Sequence, residues 1–195
     1  MRVIGITGGI GCGKSEVLRY LEGQGEYVIE ADKLAHRLMK KGENVYCRIV
    51  ERFGKGILDI DGEIDRTAFS KVVFNDDKSL SDLNAIVHPA VREYILNDIR
   101  VQKEKNTNNY FIEAALLIQD GYKDICDEIW YIYSDKEVRL DRLVKGRGFD
   151  RSKYEMIMDK QDNDDYYRDN CDVVIDNSGN IIDTLNVVKV LLNKS

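Results

Sequence analysis

The sequence predicts an α/β fold: a five-stranded parallel sheet, a helical insertion after the second strand and a helical, arginine-rich segment before the fifth. Three observations predict it. Short apolar runs recur at residues 3–7, 27–29, 110–113, 128–133 and 172–175. Helical apolar spacing fills most of the chain between them, and strands separated by helices pair in parallel. The first run leads directly into a glycine-rich loop that is followed by helical spacing.

That loop is Gly8-Gly9-Ile10-Gly11-Cys12-Gly13-Lys14-Ser15. It has the form G-x-x-x-x-G-K-S, the phosphate-cradling P-loop. Val3-Ile4-Gly5-Ile6-Thr7 before it suits a buried strand, and Val17, Leu18 and Leu21 after it fall on one helical face. Glycines let the backbone curl until several N–H groups converge, and a helix N-terminus adds about half a positive charge. Gly9, Gly11, Cys12 and Gly13 supply backbone to such a cradle. Lys14 can reach the outer phosphates and the Ser15 hydroxyl can ligate magnesium (Mg2+). The expected core is therefore a P-loop NTPase core that binds nucleotide phosphates. Cys12 sits inside the cradle, so its modification is expected to block ATP.

Bulk composition is compatible with this. A chain of 195 residues with 43% hydrophobic and 33% charged content suits a globular α/β domain with a small insertion. A net charge of −6 argues against wholesale binding to nucleic acid or to an acidic membrane. The partners expected are small molecules, with a monomer or weak oligomer. Cys12, Cys47, Cys126 and Cys171 show no C-x-x-C spacing, which points to a reducing compartment rather than to zinc or a disulfide frame. Arg2 is followed by only five residues before the glycine pair, so no signal peptide is expected, and no apolar run nears a membrane span. A cytoplasmic location follows as the expectation.

Taken in order, Tyr27-Val28-Ile29 is a second strand running into Glu30-Ala31-Asp32, after which Leu34, Ala35, Leu38 and Met39 share a helical face. Residues 42–105 read as helical. Val45, Ile49, Val50 and Phe53 form one face, stopped by Gly54; residues 59–62 form a turn; Asp65 can cap a helix with Ala68, Phe69, Val72 and Val73. Leu80, Leu83, Ile86 and Val87 continue the pattern until His88-Pro89. Proline suits the first turn of a helix, so a new helix is expected there, carrying Val91, Tyr94, Ile95 and Ile99. Asn106-Thr107-Asn108-Asn109 is a turn before the third strand. After the fourth, Ser134 and Glu137 have capping-box spacing. Arg139, Arg142, Lys145, Arg147 and Arg151 follow, then a polar helical stretch over 152–167. A last helix carries Ile181, Ile182, Leu185 and Val188.

Phosphoryl transfer needs a metal ion, cations round the moving group and a group that orients the nucleophile. Asp32 lies where a strand gives way to a helix, beyond a carboxyl end, where ligands collect in open α/β sheets. It can accept a hydroxyl proton from an acceptor, or it can merely cap the next helix. Glu113 ends an apolar strand and can hold magnesium or serve as an ordinary strand-end carboxylate. Among the arginines, Arg142 and Arg147 are the candidates for phosphate contacts in a mobile lid. On spacing alone His88 reads as a helix-capping residue, and His36 as an exposed one. Asp59, Asp61 and Glu63 alternate, but Gly62 falls at the wrong position for a calcium loop, which leaves a turn. The acidic residues at 162–165 read as a solvated face.

The ordered set of motifs resembles the dephospho-coenzyme A kinase family over nearly the whole length. It comprises Ile6-Thr7 with the P-loop, Glu30-Ala31-Asp32-Lys33-Leu34-Ala35-His36, Phe53-Gly54, Asp61-Gly62-Glu63-Ile64-Asp65-Arg66, His88-Pro89, Glu113-Ala114-Ala115-Leu116-Leu117, the arginine segment, Gln161, and Val174-Ile175-Asp176-Asn177. The resemblance implies the fold of nucleoside monophosphate kinases. Residues 1–31 and 106–195 would form the nucleotide-binding core, with a lid at about 142–168, and residues 32–105 the acceptor-binding insertion. It implies transfer of the ATP γ-phosphoryl group, with magnesium, to the ribose 3′-hydroxyl of dephospho-coenzyme A, the last step of coenzyme A biosynthesis. It makes Asp32 the catalytic base, with Lys14 and Arg142 also catalytic. Arg66 and His88 become acceptor-binding, Arg142 and Arg147 lid contacts, and Asn177 a neighbour of adenine. The chain departs from the pattern at Glu16, where threonine is common, although its backbone N–H can still serve the α-phosphate. Glu30 replaces a common aspartate, and Glu113 is one methylene longer than the usual aspartate. The interval from Arg142 to Arg147 is one residue longer than usual. Other small acceptors, such as a nucleoside or nucleoside monophosphate, are the alternative. A nucleotide-dependent switch is a third reading, but the chain has no Asn-Lys-x-Asp guanine-reading motif.

Overall fold

The computed structural model describes residues 1–147 and 150–193, with only the backbone of Arg147. The chain folds as two compact units, Met1–Ile29 with Asn106–Ser195, and Glu30–Lys105.

The first unit is built on a parallel sheet of β1 (Arg2–Thr7), β2 (Tyr27–Glu30), β3 (Asn109–Glu113), β4 (Glu128–Tyr133) and β5 (Val173–Asp176), in the order β2-β3-β1-β4-β5. β1 is central: Ile4 pairs with Phe111 on one side, and Ile6 with Trp130 on the other. A parallel sheet covered on both faces needs apolar residues at nearly every position. Val3 to Thr7 and all of β3 are accordingly buried. Helices α1 (Lys14–Gly23) and α9 (Ile181–Leu192) supply Val17, Leu18, Leu21, Val188 and Leu191 to the same core as Ile4, Ile6, Phe111, Trp130 and Ile175. Three further helices, α6 (Lys136–Arg147), α7 (Arg151–Met158) and α8 (Asp164–Asn170), lie between β4 and β5 in sequence. Leu140, Leu143, Tyr154 and Met158 make a small second core there, against which Ile10 packs.

Two expectations about this unit are corrected. Ser134 does not cap α6. It is buried, and its hydroxyl donates to the carbonyl of Asn177 at 2.8 Å, tying the end of β4 to the loop after β5. The acidic residues at 162–165 are not simply a solvated face. Asp164 accepts a 2.5 Å bond from the Tyr131 hydroxyl and Asp162 accepts from the Gln119 amide. Burial, followed by that bond to Asp164, pushes the Tyr131 phenol well above its ordinary range.

The second unit contains α2 (Ala31–Leu38), α3 (Asn44–Phe53), α4 (Arg66–Phe74) and α5 (Asp77–Glu104). Asp65 caps α4 as expected, accepting from the N–H groups of Thr67 and Ala68. Asp59 makes the expected turn, its carboxylate accepting from the N–H groups of Asp61 and Glu63. The break expected at His88-Pro89 does not occur, because α5 runs through Pro89 for 28 residues. Proline removes the bond to the carbonyl four residues back, a loss of about 3 kcal/mol in a helix interior. Here Pro89 and Ala85 both lie on the exposed side, so that carbonyl meets water. Ile86, Val87, Val91, Ile95 and Ile99 meanwhile anchor the helix on its buried side.

Candidate functional site

Each unit contributes a cavity. In the first, a cavity of about 800 Å3 is lined by the P-loop, Lys14, Ser15, Arg142 and Asn177. Its floor follows from local backbone chemistry. Gly11 and Gly13 hold φ angles of 79° and 93°, a left-handed region that only glycine adopts freely. Gly13 precedes α1 without any side-chain cap. Among the described residues nothing accepts from the N–H groups of Gly11, Gly13, Lys14 and Ser15. Such a cluster at the start of a ten-residue helix attracts an anion by both its dipoles and its donors.

Side chains fix this backbone from behind. Asn177 is buried; its amide donates to the Cys12 carbonyl at 2.8 Å and its oxygen accepts from the Thr184 hydroxyl at 2.9 Å. Asn177 thus lines the cavity while bracing the P-loop backbone from behind. Lys14 Nζ donates to the Gly8 carbonyl at 2.7 Å and lies 3.7 Å from the Glu113 carboxylate. Glu113 is therefore paired with the lysine, at the edge of the anion site. The Arg142 guanidinium donates to the Ser134 hydroxyl at 3.1 Å, which holds it at the cavity. The side chain of Arg147 lies outside the described residues.

Two further observations concern the loop. The Glu16 N–H donates to the Gly13 carbonyl at 3.0 Å, inside the first helical turn, and its carboxylate turns outward to a two-point pair with Arg19. That bond to Arg19 holds the Glu16 carboxyl below its usual range. The Cys12 side chain is 2% exposed and belongs to the main core, which shields its thiol from reagents in the folded protein.

In the second unit, a cavity of about 830 Å3 is lined at its polar end by Asp32, His36, Lys40, Glu63 and Arg66. Its apolar wall includes Met39, Phe69, Val73 and Leu83. Asp32 sits in the first turn of α2, whose N-cap is Glu30, so Asp32 is not that cap. It is exposed, and His36 follows it one turn on along the same face. Arg66 begins α4 directly after the Asp65 cap. His88 does not line this cavity; it lies in mid-α5, half-buried. The structure thus brings Asp32 and Arg66 together but leaves His88 apart, and it adds His36, whose four-residue spacing from Asp32 was visible in the sequence.

A family model described as dephospho-CoA kinase matches residues 2–183. The chain belongs to the dephospho-CoA kinase family. The family member from Aquifex aeolicus is 40% identical over 190 residues, covering 97% of this chain and 95% of that one. The member from Geobacter sulfurreducens is 38% identical, with 92% and 91% covered. The solved dephospho-CoA kinase from Campylobacter jejuni superposes with a TM-score of 0.74 at 26% identity, covering 98% of this chain and 96% of that one. Among the described residues of this dephospho-CoA kinase family member, no helix is long and apolar enough to cross a membrane.

Sequence reasoning missed Arg139. Its Nε donates to the Ile10 carbonyl at 2.8 Å, within the P-loop itself. The only sequence signal was its place in the arginine run, one helical turn before Leu143 in the second core.

Proposed function

We propose that this chain transfers the γ-phosphoryl group of ATP to the ribose 3′-hydroxyl of dephospho-coenzyme A. The observation that carries the acceptor is the dephospho-CoA kinase relative from Aquifex aeolicus, matched over 97% of this chain. The P-loop cavity carries the donor.

In this reading the N–H groups of Gly11, Gly13, Lys14 and Ser15 bind the phosphate oxygens, while Gly9 lets the loop close. Lys14 is already aimed across the loop by the Gly8 carbonyl and Glu113, and it neutralises charge on the outer phosphates. Arg142 stabilises the charge that spreads over the phosphoryl oxygens in transfer. The Ser15 hydroxyl lines the cavity and is exposed, so it fits as a ligand of magnesium. Magnesium, when bound, would screen repulsion between the phosphates and the incoming hydroxyl. Glu113, paired with Lys14, would help hold the ion beside the phosphates.

On the acceptor side, Asp32 takes the proton from the 3′-hydroxyl as that oxygen attacks phosphorus. Arg66 provides a cation for the acceptor's own phosphates, and the apolar wall covers its uncharged parts. The segment at about 142–168 acts as the lid. The spacing of Cys12, Cys47, Cys126 and Cys171, without a C-x-x-C pair, supports a reducing, cytoplasmic setting, and the protein acts as a monomer or weak oligomer. Incubation with ATP, magnesium and dephospho-coenzyme A tests the reading directly. Formation of coenzyme A and ADP in equal amounts is expected; none above background overturns it.

A further inference from the structure

The Ile10 peptide, at the tip of the P-loop, is gripped on both polar groups by side chains distant in sequence. Its N–H donates to Gln161 Oε1 at 2.9 Å, and its carbonyl accepts from Arg139 Nε at 2.8 Å. A third bond, from Arg139 Nη2 to the same Gln161 oxygen at 3.1 Å, closes the ring. The Ile10 side chain packs on the second core with Leu140 and Leu143. The loop packs closely on the grip: a Cβ on Gly9 would meet the Arg139 guanidinium, and one on Gly11 would lie 2.9 Å from Leu143.

We propose that Arg139 and Gln161 are positioning residues for ATP, acting through the Ile10 peptide. This rests on the P-loop being the ATP site. A loop containing Gly8, Gly9, Gly11 and Gly13 has more backbone freedom than other sequences, and freezing it on binding weakens affinity. The ring freezes it beforehand, so that the N–H groups beyond Ile10 already converge. It also ties the loop to Arg139 on α6 and to Gln161 beyond α7.

The test is calorimetric titration with ATP, without any acceptor, of Gln161→Met, Arg139→Met and the double variant. Methionine keeps apolar bulk while removing the hydrogen bonds. Each single change should weaken ATP binding about tenfold, the scale of one lost intramolecular bond. The double variant should stay well short of the roughly hundredfold product, because either loss opens the same ring. The Ile10 amide should also exchange faster with deuterated solvent in Gln161→Met than in the unaltered protein, at matched urea midpoints. If Arg139→Met does not fold, Gln161→Met alone decides through these two measurements. ATP affinity equal to that of the unaltered protein, or strictly additive losses, would overturn the proposal. Since no acceptor is present, a protein that binds ATP normally yet makes no coenzyme A would fell the proposed function and leave the ring standing.

Discussion

The two cavities are built on opposite principles. The nucleotide cavity is a backbone surface whose donors are N–H groups, braced from behind by the buried Asn177 and Ser134 and by the half-buried Arg139 and Gln161. The cavity of the helical unit is a side-chain surface. Its Asp32, His36, Lys40, Glu63 and Arg66 are all exposed and hang from helix and turn backbones over an apolar wall. A phosphate chain is the same in every ATP, so a rigid cradle suits it. An acceptor is recognised by its particular shape, and side chains are the adjustable means of matching one. Substitution should therefore be local in the first cavity's chemistry only where it disturbs backbone, and in the second wherever it removes a side chain.

The largest expected effect breaks the second cavity. Asp32→Asn keeps shape and removes the proton acceptor, so turnover should fall by about 10²–10⁴-fold, the range for a lost general base. ATP affinity should be unchanged in the same protein, measured by titration. Normal turnover would leave Asp32 as an exposed residue of α2 with no chemical part.

Gly13→Ala should strike the first cavity and spare the second. A Cβ at a φ of 93° is strained, and it would collide with the Asn177 amide that braces Cys12. ATP affinity should drop by about a hundredfold, near 2.8 kcal/mol, with both terms acting together. Dephospho-coenzyme A binding, followed separately by titration, should stay as it was. Equal losses for both ligands would show that the two cavities are not the independent constructions described above.

The same contrast explains what the sequence could reveal. The P-loop, its strand and its helix are contiguous, so their pattern is local and readable, and the strand over 128–133 was bounded correctly from apolar spacing alone. The braces were not readable. Gln161 stands 151 residues from Ile10, and Asn177 stands 165 residues from the Cys12 carbonyl it holds. A hydrogen bond to a backbone group leaves no periodic trace, and any amide would look the same in the sequence. Ser134 misled for the opposite reason, because local capping spacing was present while a buried tertiary contact claimed the hydroxyl. In the helical unit, the cavity draws on residues from Asp32 to Asn84 across three helices and a turn, so Asp32 emerged from its strand-to-helix junction, Arg66 only through a family motif, and His36, read as an exposed residue, was given no part. Pro89 misled because the solvent side of a long helix tolerates what its buried side would not.

The smallest effect sharpens the comparison through thiols. Cys47, in the helical unit, is exposed, whereas Cys12 and Cys171, in the nucleotide unit, are buried and half-buried. Burial first, and then the nearby Asp172 charge, pushes the Cys171 thiol from 9.0 up to about 12. Alkylation reacts through the thiolate. At pH 9 iodoacetamide should label Cys47 first and Cys12 last, with Cys171 labelling rising only as the pH approaches 12; mass spectrometry of peptides resolves the order. The stability sign follows from the same shift. Between pH 9 and 12 the folded state holds the Cys171 proton while the unfolded state has released it, so the folded form binds more protons and stability falls as pH rises. The contribution is complete below pH 9 and is lost through this window. Cys171→Ala should lose part of that alkaline decline in urea midpoint. A decline identical in both proteins would show that the burial of Cys171 does not govern its proton.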